Sequence, residues 1–175
     1  METERFILRP YKEKDAQPMF ENWASDSEVT KYLTWLPHKN VEETKQIIGV
    51  WLEQEKKGKT HCFCIVPKGS DEPIGAIDIA GYKENGIPEI GYVLSRKYWN
   101  QGIMTEVCKA YVEYLFNQGF SEIIIGADER NIGSNRVITK CGFTFINKET
   151  RPCSSFKPEE VTINWYVIQK LKNYV

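Results

Sequence analysis

Tyr98-Trp99-Asn100-Gln101-Gly102-Ile103-Met104-Thr105-Glu106 joins the run Glu89-Ile90-Gly91-Tyr92-Val93-Leu94 to an amphipathic segment that extends from Gly102 to about Asn117. Ile90, Tyr92, Val93 and Leu94 are β-branched, aromatic and aliphatic residues that suit a pleated, buried surface, which predicts a strand. Val107, Ala110, Tyr111, Tyr114 and Leu115 recur at helical spacing and predict one apolar helix face. The stretch between them is a loop that ends in a helix start. The first amides of a helix have no partner within it, and the backbone dipole makes that end electropositive, so an exposed helix start can hold phosphate. Gly102 permits close approach because it has no Cβ. An ordinary strand-to-helix connection has the same form, and this stretch alone does not separate the two readings. The chain contains neither Gly-x-x-x-x-Gly-Lys-Ser/Thr nor Gly-x-Gly-x-x-Gly, so any phosphate is held by another type of loop.

A second stretch favours the phosphate-holding reading. Asn131-Ile132-Gly133-Ser134-Asn135-Arg136-Val137-Ile138-Thr139-Lys140-Cys141-Gly142-Phe143 follows the apolar run Ile123-Ile124-Ile125 and ends in Gly-Phe. Together the two stretches resemble the acetyl-CoA-binding and C-terminal motifs of the GNAT N-acetyltransferase superfamily, with its ribosomal-protein N-terminal acetyltransferase branch (RimJ/RimL-like) the most similar. The opening Glu4-Arg5-Phe6-Ile7-Leu8-Arg9-Pro10 is similar to that branch's first strand. Three motifs in the same order extend the resemblance over nearly the whole chain.

The rest of the chain agrees with one soluble globular domain. It has 175 residues, 41% hydrophobic and 27% charged, enough for one domain (1–175) with a sizeable core. A net charge of −1 and a pI near 6.2 offer no electrostatic basis for nonspecific binding to nucleic acid or an anionic membrane. No apolar run approaches the roughly 20 residues of a membrane span, and the polar N-terminus has no signal-peptide core. The five cysteines fit neither a zinc site nor a disulfide framework. These features predict reduced thiols, a cytoplasmic location and no metal.

In order, Arg5 to Arg9 reads as a strand ended by Pro10. A helix begins near Asp15, its cap, with Met19, Phe20 and Trp23 on its apolar side. Asn40 caps a long helix with Glu42 and Glu43 in its first turn, and Lys56-Lys57-Gly58 ends it. His61 to Val66 and Pro73 to Ala80 read as antiparallel strands, and Asn85-Gly86 as a tight hairpin pair tolerant of positive φ. Ser121 to Ala127 is the next strand and Asn131 to Lys140 a short helix. Strands near Phe143 to Lys148 and Val161 to Ile168 are joined by a loop containing Arg151, Pro152, Cys153 and Pro158. The predicted fold is a mixed α/β domain, its sheet largely antiparallel, with helices on both faces.

The resemblance implies that two central strands, Glu89 to Leu94 and Ser121 to Ala127, splay apart around the pantetheine arm of acetyl-CoA. The backbone of Tyr92, Val93 and Leu94 is then the pantetheine contact. The amides of Asn100, Gln101, Gly102, Ile103, Met104 and Thr105 form the pyrophosphate cradle. Asn131 matches the family's cofactor-arm asparagine, and Ser134 the serine near the thioester sulfur. The chain departs from the family pattern in places. Asn100 stands where glycine is frequent, Gln101 where a basic residue is frequent, and Met104 where a small one is usual. Ile138 replaces the tyrosine that serves many members as general acid. Ser134 is therefore the first choice to protonate the departing thiolate, whose ordinary pKa of about 8.5 demands only modest help.

The amine must be neutral to attack, and a carboxylate can take its proton. Glu89 is the first candidate and Asp78 the second; their ordinary roles are a solvated strand end and the polar side of a half-buried strand. His38 and His61 are lone histidines that read as structural. Trp23 and Trp51 read as core, whereas Trp35, near Pro37, is the candidate acceptor contact. Trp99 is expected to pack under the loop. The leading reading is transfer from acetyl-CoA to a primary amine, on a protein N-terminus or a small molecule, by direct attack in a ternary complex. A non-catalytic CoA-binding module and an interaction domain are the alternatives, and the family makes a homodimer plausible.

Overall fold

The computed structural model describes residues 1–58 and 61–171. Residues 59–60 and 172–175 of the expected domain lie outside the described residues. Seven strands form one sheet in the order β1-β2-β3-β4-β5-β7-β6. They are β1 (Phe6–Arg9), β2 (Phe63–Pro67), β3 (Gly75–Tyr82), β4 (Pro88–Leu94), β5 (Glu122–Asp128), β6 (Thr144–Pro152) and β7 (Glu160–Gln169). Every neighbouring pair is antiparallel except β4 and β5, which run parallel and pair only at Glu89 and Ile124 among the described residues. The helices are α1 (Ala16–Met19), α2 (Ser27–Thr30), α3 (Val41–Lys56), α4 (Ile103–Asn117) and α5 (Ile132–Lys140).

Alternation along the strands divides the core into two layers. Ile77, Ile90, Leu94, Ile123 and Ile125 pack with Val107, Cys108, Tyr111 and Leu115 of α4 and Ile138 of α5. On the other face Cys64, Val66 and Ala76 pack with Met19, Trp23 and Ile48 from the N-terminal helices. Burying each large apolar side chain contributes about 1.5–3 kcal/mol, so both layers are needed to cover the sheet. The mixed, largely antiparallel sheet with helices on both faces is the expected architecture.

Capping follows the sequence at α3, where Asn40 Oδ1 accepts from the Glu43 amide at 3.1 Å. It does not at Asp15. That buried carboxylate accepts from the Lys12 amide at 2.7 Å and from both Arg9 Nη atoms at 2.7 and 2.9 Å. A bidentate ion pair with a buried carboxylate outweighs one capping bond. The helical segment after it is broken by a wide turn, in which the Ser25 amide and Oγ both donate to the Phe20 carbonyl at 3.2 and 2.8 Å. At the hairpin, Gly86 alone of the Asn85-Gly86 pair takes positive φ. Strand β6 continues to Pro152, and Arg151, expected in a loop, pairs with Val161 of β7. An exposed edge strand carries no apolar alternation to mark its end; its partner strand sets its length.

Candidate active site

Beyond Glu89 and Ile124 the strands β4 and β5 part, and a cavity of about 500 Å³ opens between and above them. Asp78 of β3 stands opposite Gly91, and Gly126 of β5 stands opposite Trp165 of β7. Gly91 and Gly126 each lie two residues past the last β4–β5 pair, so Asp78, Gly91, Gly126 and Trp165 form a row across four strands on the face covered by the N-terminal helices. The middle of that row carries no side chains. A Cβ on Gly91 would lie 3.3 Å from Asp78 Oδ1, and one on Gly126 would lie 2.8 Å from Trp165 Cζ3. These glycines therefore let Asp78 and the Trp165 ring close in from either side. Sequence reasoning assigned no site role to Gly91, Gly126 or Trp165; an isolated glycine inside a strand pattern was the available signal.

Both predicted carboxylates line the cavity, in different surroundings. Glu89 pairs with Lys83 Nζ at 3.3 Å, and Lys83 also lies 4.0 Å from the centroid of the Trp165 ring. Asp78 makes no ion pair or hydrogen bond among the described residues, and desolvation pushes its carboxyl up to about 6. Ionised near neutrality but far more basic than an ordinary aspartate, it suits proton acceptance better than Glu89 does.

The other side of the gap holds hydroxyls. Ser134, in the first turn of α5, has its amide bound by the Asn131 side-chain oxygen at 3.1 Å. Its Oγ lies 2.9 Å from the Tyr92 phenol, and that phenol also donates to the Ser134 carbonyl at 3.3 Å. Burial pushes the Tyr92 phenol up, so it stays protonated and donating. The sequence reading used only the backbone of Tyr92; its side chain is a further site group. Tyr92, Val93, Asn131, Ser134 and Trp35 all line the cavity. The Trp35 ring leans on His38, 5.4 Å between centroids. The His38 imidazole meets Thr44 Oγ1 at 2.8 Å, and burial lowers its pKa. No group of His, Cys, Asp and Glu among the described residues is arranged to hold a metal ion.

The predicted cradle lies apart from the cavity walls. Asn100 and Gly102 take left-handed φ of 61° and 72°. No acceptor within the protein is found among the described residues for the amides from Asn100 to Thr105; the first helical bond is Glu106 N to Gly102 O at 3.1 Å. The side chains of Ile103 and Met104 are buried in the core, so only their backbone faces outward. Leu94 does not line the cavity, and its carbonyl accepts from Trp99 Nε1 at 2.8 Å, which anchors the loop to the strand end. Arg5 reaches the same loop, donating to the Gln101 carbonyl at 3.2 and 3.3 Å and pairing with Glu106 at 2.7 Å.

Residues 5–144 match the family model described as the acetyltransferase (GNAT) domain. The chain belongs to that family. It is an N-acetyltransferase of the GNAT family, with acetyl-CoA as its acetyl donor. It is 31% identical over 143 residues to p20, an uncharacterized N-acetyltransferase of Bacillus licheniformis, covering 81% of this chain and 80% of that protein. A GNAT-family acetyltransferase from Bacillus anthracis superposes with a TM-score of 0.82 at 26% identity, covering 97% of each chain. RimL, a ribosomal alpha-N-protein acetyltransferase solved in complex with coenzyme A, has the same fold, with a TM-score of 0.82 at 19% identity and 95% of each chain covered.

The GNAT fold gives each departure in the loop a physical meaning. Asn100 adopts the left-handed conformation that glycine reaches freely, and asparagine tolerates it better than other side chains do. Arg5, immediately before β1, brings a cation to the loop in which Gln101 replaces a basic residue. Ile138 is fully buried in the core, and the phenol near Ser134 comes instead from β4. Among the described residues no helix is long and apolar enough to cross a membrane.

Proposed function

We propose that this acetyltransferase moves the acetyl group to a primary amine by direct attack in a ternary complex, with Asp78 as base and the Ser134–Tyr92 pair as acid. The observation that carries this reading is the row Asp78–Gly91–Gly126–Trp165 across the parted strands, with the two hydroxyls behind the same gap. Acetyl-CoA supplies an activated thioester. The free amides from Asn100 to Thr105 take its pyrophosphate, and the backbone of Tyr92 and Val93 borders its pantetheine arm. Because Asn131 Oδ1 already accepts from Ser134, its Nδ2 is the group left to face that arm.

Asp78 takes a proton from the incoming ammonium and frees the lone pair. As the nitrogen–carbon bond forms, the carbon–sulfur bond breaks, Ser134 Oγ–H protonates the sulfur, and the second amine proton leaves to water. Tyr92 orients that hydroxyl, and water returns a proton to it. Glu89, balanced by Lys83, shapes the local field. Trp35 walls the acceptor side, where a protein N-terminus or a small amine would enter.

Calorimetric titration with acetyl-CoA and with CoA, using Gly102→Val as control, tests the cofactor assignment. Thiol release with a panel of amines and peptides then tests the chemistry. One-site binding lost in the control, with turnover that falls in Asp78→Asn, supports the reading. Binding untouched by Gly102→Val moves the cradle elsewhere, and turnover untouched by Asp78→Asn removes the base.

A further inference from the structure

Arg151 is a cavity-lining cation whose counter-charge is missing among the described residues. Its Nε is buried without a hydrogen-bond partner, its guanidinium makes no ion pair among the described residues, and it lies 5.8 Å from the centroid of the Trp165 ring. Three nearby carboxylates are already engaged. Glu149, on the same face of β6, accepts from Trp165 Nε1 at 2.7 Å; Asp128 is held by Arg130 at 2.6 and 2.9 Å; Glu89 is paired with Lys83. A half-buried cation with an orphaned donor is costly unless something supplies the acceptor. The planar guanidinium fork matches a carboxylate bidentately.

Position and size narrow the ligand. Arg151 and Trp165 stand on one side of the glycine floor and Asp78 on the other. The walls above are strapped together. The Lys157 ammonium donates to the carbonyls of Thr30 at 2.7 Å and Leu33 at 2.9 Å, and Cys153 Sγ lies 3.7 Å from the Leu33 carbonyl. A cavity of about 500 Å³ that must also admit the thioester has room for a small molecule.

Resting on the acetyltransferase reading above, we propose that the acceptor is an amino-acid-sized molecule carrying a carboxylate besides its primary amine. The carboxylate docks on Arg151 against the Trp165 ring, and the amine lies over Gly91 and Gly126 toward Asp78.

Matched amine pairs test this: γ-aminobutyrate against butylamine, aminocaproate against hexylamine, and para-aminomethylbenzoate against benzylamine. Each is assayed by thiol release, with acetyl-CoA binding followed separately by calorimetry. The carboxylated member of at least one pair should win in kcat/KM by about tenfold or more, the scale of one charge-assisted hydrogen bond. Arg151→Met should erase that difference, chiefly through KM, and Arg151→Lys should restore part of it. Calorimetric binding of para-aminomethylbenzoate to the CoA complex should likewise be lost in Arg151→Met. A preference for the neutral amines, or a carboxylate preference that survives Arg151→Met, overturns the proposal while acetyl-CoA binding stands. Peptides turned over far faster than every small amine overturn the size assignment. Absence of acetyl-CoA binding sinks the acetyltransferase reading itself.

Discussion

Asp78 and Glu89 share a face and a cavity, yet only Glu89 has a cation beside it. Desolvation raises the Asp78 carboxyl from 3.8 to about 6, so kcat/KM should climb as pH rises through about 6, and Asp78→Asn should lower it about a hundredfold or more and abolish that limb. Glu89→Gln should cost less than about tenfold. The same shift has a stability consequence with a definite sign. Because the folded pKa lies above the unfolded one, ionising Asp78 destabilises the fold progressively between about pH 4 and pH 6. Asp78→Asn should thus raise stability at pH 7 by on the order of 2 kcal/mol, with the gain vanishing below about pH 4, as denaturant titrations at both pH values would reveal. Ser134→Ala and Tyr92→Phe should each lower kcat, and the double variant should be little worse than the poorer single one, because the two hydroxyls act as a unit. Independent losses that multiply would separate them.

At the scale of elements, the parting of β4 and β5 and the turn into α4 carry the proposed function. The first depends on a position with no room for a side chain, the second on a backbone conformation that side chains disfavour. Gly126→Ala would force a Cβ to 2.8 Å from the Trp165 ring, which overpacks the sheet face and should cost about 1–3 kcal/mol in thermal or chemical unfolding. At Gly102 the left-handed φ of 72° makes Gly102→Val unfavourable by about 1–2 kcal/mol, and the distorted helix start should weaken acetyl-CoA binding. Asn100→Gly, at φ 61°, should leave both properties intact. A Gly102→Val protein with full stability and full affinity would show that the loop tolerates a different path.

At the scale of the whole molecule, the cavity proposed for the acceptor is walled by segments far apart in the chain. Lys157, buried and bound to the carbonyls that end α2, ties the connection after β6 to the stretch after α2. Lys157→Met should lower stability by about 1–3 kcal/mol, since these carbonyls lose their donor. It should also broaden the range of amines accepted, which a panel of increasing acceptor size would report.

Periodicity and turn chemistry made α3, α4 and the central strands legible, because their apolar faces are set by local spacing and Asn40, Gly58 and Gly102 mark their ends. The loop before α4 was legible in the same way, and so was the short helix that Asn131 caps; the site roles of Asn131 and Ser134 came from the resemblance. Arg151 was misplaced in a loop because β6 is an exposed edge whose length is set by pairing with β7. The side chain of Tyr92 went unassigned because its partner lies 42 residues away. Composition and local pattern by themselves determined the mixed α/β fold class and the place of the loop before α4, since both follow from which residues repeat along a helix or strand; reading that loop as the cofactor cradle came from the family resemblance. Only the tertiary structure decided which carboxylate is left without a cation and where Arg151 stands relative to Asp78. Desolvation and charge pairing arise between elements that meet only when the sheet is assembled.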